Sequence, residues 1–257
     1  MLEWSTKTWG GKRSKVKKQK LHKFVATAHK WIGLFVGLQV LAWTGGGLVM
    51  SWLPIEEVRG EHKVAKNDPV PLSGNLMDFS ALSEQTNAPI LQLAYENLLG
   101  KPVAKLRLED GSRQIRDGST GALMTPISAE LARMIAEADY NLDAPVSAVI
   151  ELTENNIDYR GPLPVWRVNF ADEEASSIYV SPTQARVVAR RSDMWRLFDF
   201  VWMLHIMDYE ERHDFNNPLL LTFSASAVLF TISGIFLVFF RFYRRDFNFI
   251  LGKRKKG

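Results

Sequence analysis

"LHKFVATAHKWIGLFVGLQVLAWTGGGLVMSWLPIEE", residues Leu21–Glu57, decides how this chain is built. It opens with His22 and His29 among lysines, then carries no charge from Trp31 to Leu53. About 20 apolar residues suffice to cross a bilayer core of roughly 30 Å, so the run predicts a transmembrane helix over 31–53. It is too long for a signal-peptide core, and "SWLPIEE" offers no small-x-small cleavage site. The expectation is an uncleaved signal anchor. A second uncharged run, Pro218 to Phe240, predicts another span.

Charge is distributed unevenly around these runs. Residues 1–55 hold 9 Lys/Arg against 1 acid, residues 56–193 hold 14 against 21, and residues 194–257 hold 9 against 6. Basic segments flank the outer ends of both runs: "GKRSKVKKQK" before the first, "RFYRRDF" and "KRKK" after the second. The positive-inside rule puts both termini in the cytoplasm and the acidic middle outside. A basic arm can also bind nucleic acid. Joined to a span, it reads instead as a topology signal that touches anionic lipid, with no nucleic-acid partner expected.

The chain has no cysteine. That excludes iron–sulfur clusters, cysteine zinc sites, covalently attached haem and thiol catalysis. The exported part must fold on its hydrophobic core alone, without disulfides. No phosphate loop, zinc-protease helix or Ser-His-Asp context is legible, and Gly45-Gly46-Gly47 lies inside a span, where it serves close approach or a kink.

Glu56 to Leu76 reads as an exit linker with "NDPVPLSGN" as its loop signal. Beyond it a weak duplication is expected, each copy a helix on a small antiparallel sheet. In the first copy "ILQLAYENLLG" has apolar residues at helical spacing, "PVAKLRLEDG" alternates like a strand into an Asp-Gly turn, and "RQIRDGSTGALMTP" continues as strand, turn and strand. In the second, Ser128 opens a helix over "SAELARMIAEADYNL". "VSAVIELTENNIDYRG" follows, then the strand "PVWRVNF", a polar turn, and two short strands about "SPTQA". "DMWRLFDFVWMLHIMDYEERHDFNN" predicts an amphipathic helix at the outer interface, where aromatic rings are favoured.

Three stretches carry a resemblance. "AHKWIGLFVGLQVLAWTGGGL" resembles the first helix of PepSY-associated transmembrane proteins, with their His-Arg/Lys-Trp-x-Gly signature. "WMLHIMDY" with "NNPLLLTFSASAVLFTISGIFLVFFRF" resembles their later helix, where a histidine precedes a span with a small Ser/Thr-Gly pair. "LPVWRVNFADEEASSIYVSPTQARVVAR" is similar to a PepSY repeat, with Ala185 where the last turn usually has glycine. The expected fold class is therefore an α+β membrane protein: two transmembrane helices flanking an extracytoplasmic PepSY-like domain. The divisions are a basic cytoplasmic N-terminus (1–30), a first span (31–53), a periplasmic domain (54–193), an interfacial helix (194–216), a second span (217–241) and a basic tail (242–257).

The resemblance implies a bacterial inner-membrane protein, and in some members a ferric or ferric-siderophore reductase using non-covalent haem b held by transmembrane histidines. Many members have four or more spans, so a homodimer is expected to restore a four-helix bundle. Electrons would pass from an unknown cytoplasmic donor to ferric iron or a ferric chelate outside.

His29 and His205 are the primary candidates for haem or metal ligation, at opposite faces of the bilayer core. His22 lies two helical turns before His29 and reads either as a second ligand or as a solvated border residue. Gly33 and Gly37 continue the His29 stripe; they suit either a flat porphyrin surface or close helix packing. His205 in "WMLHIMDY" has Asp208 and Tyr209 at i+3 and i+4 to orient its ring, or is simply a satisfied interfacial residue. His213 in "EERHDF" reads as a surface residue or part of an iron entry. His62 has no assigned role. The other reading of the whole chain is a non-catalytic membrane-anchored module that binds or regulates a partner protein.

Overall fold

A computed structural model describes residues 10–66, 68 and 70–241, with side chains from 19 to 239. Residues 1–9 and the basic tail expected over 242–257 lie outside the described residues. The chain forms two compact units, one from residues 1–51 and 200–257, the other from 52–199.

The first unit is helical. Helix α1 runs Gly10–Trp52, 43 residues, or about 65 Å at 1.5 Å per residue. It begins well before the uncharged run because residues 12–30 contain no glycine or proline and are rich in lysine, a good helix former. It stops where Pro54 disfavours helical backbone at Leu53. Helix α6 (Pro218–Arg241) starts with proline at its first position, and Asn217 Oδ1 caps it by accepting the Leu220 amide at 2.8 Å. Both α1 and α6 are long and apolar enough to cross a membrane.

The second unit holds two antiparallel meanders. Strands β1 (Ile90–Leu98), β2 (Lys101–Leu108) and β3 (Arg113–Asp117) make one sheet. Strands β4 (Val146–Leu152), β5 (Val165–Phe170), β6 (Ser177–Ser181) and β7 (Arg186–Arg191) make the other. A short helix α2 (Ile55–Val58) and a 3-10 turn (Glu61–Lys63) precede them. Helix α3 (Phe79–Glu84) comes before the first sheet, and helix α4 (Ala129–Asp139) before the second. Ser128 does cap α4, its hydroxyl accepting the Leu131 amide at 3.3 Å. One core joins the halves: Ala132, Ile135 and Ala136 of α4 pack with Val168, Phe170, Ile178 and Val180 of the second sheet and with Val103 and Ile115 of the first.

Three expectations are corrected. "ILQLAYENLLG" is strand β1, in register with β2 from Leu98↔Lys101 to Ile90↔Leu108. Its two-residue loop, Leu99-Gly100, has both φ angles positive, at 53° and 84°, the geometry of a tight hairpin usually built from Asn-Gly or Asp-Gly. The helix of the first half is instead the short α3, ahead of β1. The exit linker is also shorter than expected: Val64 bridges Tyr140, and Lys63 is 5% exposed. Finally, helix α5 (Asp193–Ile206) ends well short of residue 216, since Met207 turns left-handed at φ 54°. Ala185, in the place of the expected glycine, has φ 44° and is buried; the backbone there is one that glycine adopts freely.

Candidate functional site

His29 lies where α1 meets α6. Its ring stacks on Phe230 with centroids 4.2 Å apart and planes 9° from parallel. Its Nδ1 is 2.7 Å from Ser233 Oγ. Ser233 donates its single hydroxyl proton to the Phe230 carbonyl, also at 2.7 Å. With that proton on the carbonyl, the serine oxygen accepts from His29 Nδ1–H and the lone pair is on Nε2; in the other tautomer the hydroxyl turns to Nδ1 instead. The absent side chain of Gly234 gives the ring its room, as a Cβ there would stand 3.2 Å from His29 Cε1.

Gly33 and Gly37 part company. A Cβ at Gly33 would meet the Phe230 ring at 2.7 Å, whereas nothing lies within 4 Å of one at Gly37. Gly33 is thus a notch filled by Phe230 of the same chain, and Gly37 faces open space. Phe35 and Phe223 continue the α1–α6 contact as a second stack, 5.0 Å between centroids.

His205 is in the last turn of α5, beside α1. A helix end lacks partners for its final carbonyls. Here Gln39 donates to the Leu204 carbonyl (3.0 Å), Trp43 to the His205 carbonyl (2.8 Å) and Asn217 to the Ile206 carbonyl (3.0 Å). Val201 of the same helix lies against Gly46, where a Cβ would approach its side chain to 3.1 Å. The His205 ring lies parallel to Trp202 at 6.4 Å, and its Nδ1 is buried with no hydrogen-bond partner. Gln39 and Trp43 are ten and fourteen residues beyond His29 on α1. At 1.5 Å per residue the two histidine levels are therefore about 15–21 Å apart along the helix, closer than a full bilayer core. The reason is that the end of α5 runs beside the uncharged stretch of α1.

Asp208 does not orient His205. With α5 ended at Ile206, its carboxylate turns to its own loop and accepts the amides of Glu210, Glu211, His213 and Asp214 at 3.0–3.2 Å. The Asp214 amide foremost, then those of His213 and Glu211, outweigh partial desolvation and hold the Asp208 carboxyl well below the usual carboxylate range. Tyr209 is exposed. His213 is an exposed residue facing Glu211, with Nε2–Oε2 at 3.3 Å. His22 is half-buried two turns before His29 on α1. Among the described residues no group of three His, Asp or Glu side chains forms a metal-ion cluster.

One polar centre has no counterpart in the sequence analysis. Lys63 Nζ lies 3.0 Å from Asp172 Oδ2, 3.0 Å from Glu174 Oε2 and 2.8 Å from Ser176 Oγ. Tyr140 donates to the same Asp172 oxygen at 2.8 Å. Burial alone would raise the Asp172 carboxyl, but hydrogen bonds from the Ser176 hydroxyl and amide, Lys63 and Tyr140 win and hold it far below its ordinary value. Burial first, then the Asp172 bond, pushes the Tyr140 phenol up to about 12. Lys63 stands in an apparent linker and Asp172 in an apparent polar turn, 109 residues away; no local signal joins them. The network sets one lysine against two carboxylates and ties the chain before the first sheet to the β5–β6 turn.

Compared with protein-family models, curated proteins and solved structures, the chain matches none.

Proposed function

We propose that the chain crosses the bacterial inner membrane twice with both termini cytoplasmic, as in PepSY-associated transmembrane proteins. In this reading it binds haem b through His29 and His205 and passes electrons to ferric iron or a ferric chelate outside. The observation that carries the reading is the His29–Ser233 contact: when Nδ1–H donates to Ser233 Oγ, the nitrogen left with a lone pair is Nε2. A ligating histidine is characteristically held this way, its other nitrogen donating to a fixed acceptor. In that tautomer Nε2 is the atom that would ligate haem, although the Gly33 notch is no porphyrin seat because Phe230 fills it. At the outer level, the buried and unpartnered His205 Nδ1 is a second candidate ligand atom.

Haem, when bound, supplies one-electron redox chemistry. The chain's residues do the rest. Ser233 holds Nδ1, Phe230 holds the ring plane, and Gly234 admits the ring between the helices. Gln39, Trp43 and Asn217 hold the end of α5 and with it the His205 backbone. A homodimer packed through the open Gly37 side would complete the walls of the site.

The test is a reduced-minus-oxidised spectrum with haem quantitation on protein expressed with ample haem. His29→Ala removes the inner haem. Ser233→Ala retains the ligand but weakens affinity about 10–100-fold, the usual effect of losing such an outer partner. His205→Ala leaves the inner site reducible and blocks transfer to an external ferric acceptor, while His62→Ala changes nothing. Wild-type protein without a Soret band would sink this reading and leave the partner-binding module in its place.

A further inference from the structure

The second unit carries a cluster of cations that its own fold does not neutralise. The β1–β2–β3 register sets Gln92 opposite Arg107 and Arg107 opposite Arg113, on the face that also bears Lys105. The turn between β6 and β7 brings Arg186 across from them, and together these residues line an open cleft of about 430 Å³. The only carboxylate in its wall is Glu96, which is engaged by Lys105. Arg186 Nε donates to a neutral amide, Gln184 Oε1, at 2.9 Å. Among the described residues no carboxylate pairs with Arg107, Arg113 or Arg186.

This contrasts with five of the unit's other eight arginines. Residues 56–193 hold more acids than bases, 21 against 14. Arg59, Arg133, Arg160, Arg190 and Arg196 each face a carboxylate. Like charges directly opposite on neighbouring strands are unfavourable, yet Arg107 and Arg113 are such a pair, and both are exposed. An anion lying between them turns that repulsion into two charge-assisted contacts. The planar guanidinium fork matches a carboxylate or a phosphate group in two-point contact. The cleft's volume falls in the range of small-molecule sites, about 300–1,000 Å³.

We propose that this cleft binds a small polyanion that presents two or more carboxylate or phosphate groups, with Arg107, Arg113 and Arg186 as its binding residues. The site is independent of haem, so either reading can fail without the other.

The experiment is calorimetric titration of the full chain in detergent at low ionic strength, with citrate, acetate and inorganic pyrophosphate as probes. Citrate, pyrophosphate or both bind saturably at one site, acetate binds at least about 10-fold more weakly, and added salt weakens binding because exposed charges are screened. Arg107→Gln and Arg113→Gln each weaken binding of the tighter polyanion about 10-fold or more, the loss of one charge-assisted contact. Without either polyanion, the Arg107→Gln, Arg113→Gln double variant unfolds no earlier than wild type, since it removes a repulsion; this checks that it is folded. Arg133→Gln, on α4 and matched to Glu137, binds the tighter polyanion as wild type does. The tighter of citrate and pyrophosphate names the anion class as carboxylate or phosphate, and failure of both to bind overturns the proposal. It is also overturned if the double variant binds the tighter one as wild type does, or if Arg133→Gln loses as much.

Discussion

Replacing Lys63 by methionine tests the second unit at a buried ion-pair network. The lysine side chain is 6% exposed and the Asp172 carboxylate 9%, and they meet at 3.0 Å. Methionine keeps much of the volume and removes the charge. Asp172 then retains Ser176 and Tyr140 but loses its cation. Removing one partner of a buried ion pair costs about 3–5 kcal/mol, because the other charge stays buried and uncompensated. Glu174, 39% exposed, recovers hydration and adds little. Pulse proteolysis of the full chain across a urea series reads the loss. At a slope near 2 kcal/mol/M the midpoint moves down by about 1.5–2.5 M. Adding Asp172→Asn recovers part of it, because the stranded charge goes with its partner.

Acid sensitivity gives the same residue a second readout. Asp172 is depressed in the folded protein, so its contribution is present above the unfolded value near pH 4 and is lost as pH falls below it. In Lys63→Met the depression is smaller, and less stability remains to be lost in that window. Tyr140 has the opposite sign: raised to about 12, it contributes below about pH 10 and loses that contribution as pH climbs through its folded value. A midpoint shift under about 0.5 M for Lys63→Met, equivalent to about 1 kcal/mol, would refute the claim that this lysine neutralises a buried carboxylate.

Three further outcomes are expected. Gly33→Leu disrupts the α1–α6 pair, since even a Cβ would meet Phe230 at 2.7 Å, while Gly37→Leu leaves each chain folded and weakens only crosslinking between protomers; equal expression and equal crosslinking of the two variants would contradict this. Asp208→Ala frees the amides of Glu210, Glu211, His213 and Asp214, so their hydrogen-exchange protection falls about 10-fold, and in the wild type the loop loosens as pH drops through the depressed Asp208 value; unchanged exchange would show another anchor. Reporter fusions near Lys101 and Lys253 fall in opposite compartments, and finding both on one side overturns the two-span topology.

The elements legible in the sequence are those whose causes are local. An uncharged run needs no distant partner to be an apolar helix, so α1 and α6 are evident from Trp31–Leu53 and Pro218–Phe240. Ser128 announces α4 because a cap bonds to an amide three residues on. Strand β1 reads as a helix because Leu91, Ala94, Tyr95 and Leu98 satisfy helical spacing, and Leu99-Gly100 lacks the usual hairpin signature. Its pairing with β2 settles the matter, since a strand acquires its backbone partners only from another strand. His29 and His205 are visible as histidines beside or within apolar sequence. The contact between His29 Nδ1 and Ser233 is not, because the two are 204 residues apart. Likewise Arg107 and Arg113 become an unneutralised pair only when the β2–β3 register sets them face to face. Composition and spacing determined which segments are apolar helices; the tertiary structure alone decided which polar atoms meet, because a hydrogen bond or ion pair forms only between groups held a few ångströms apart.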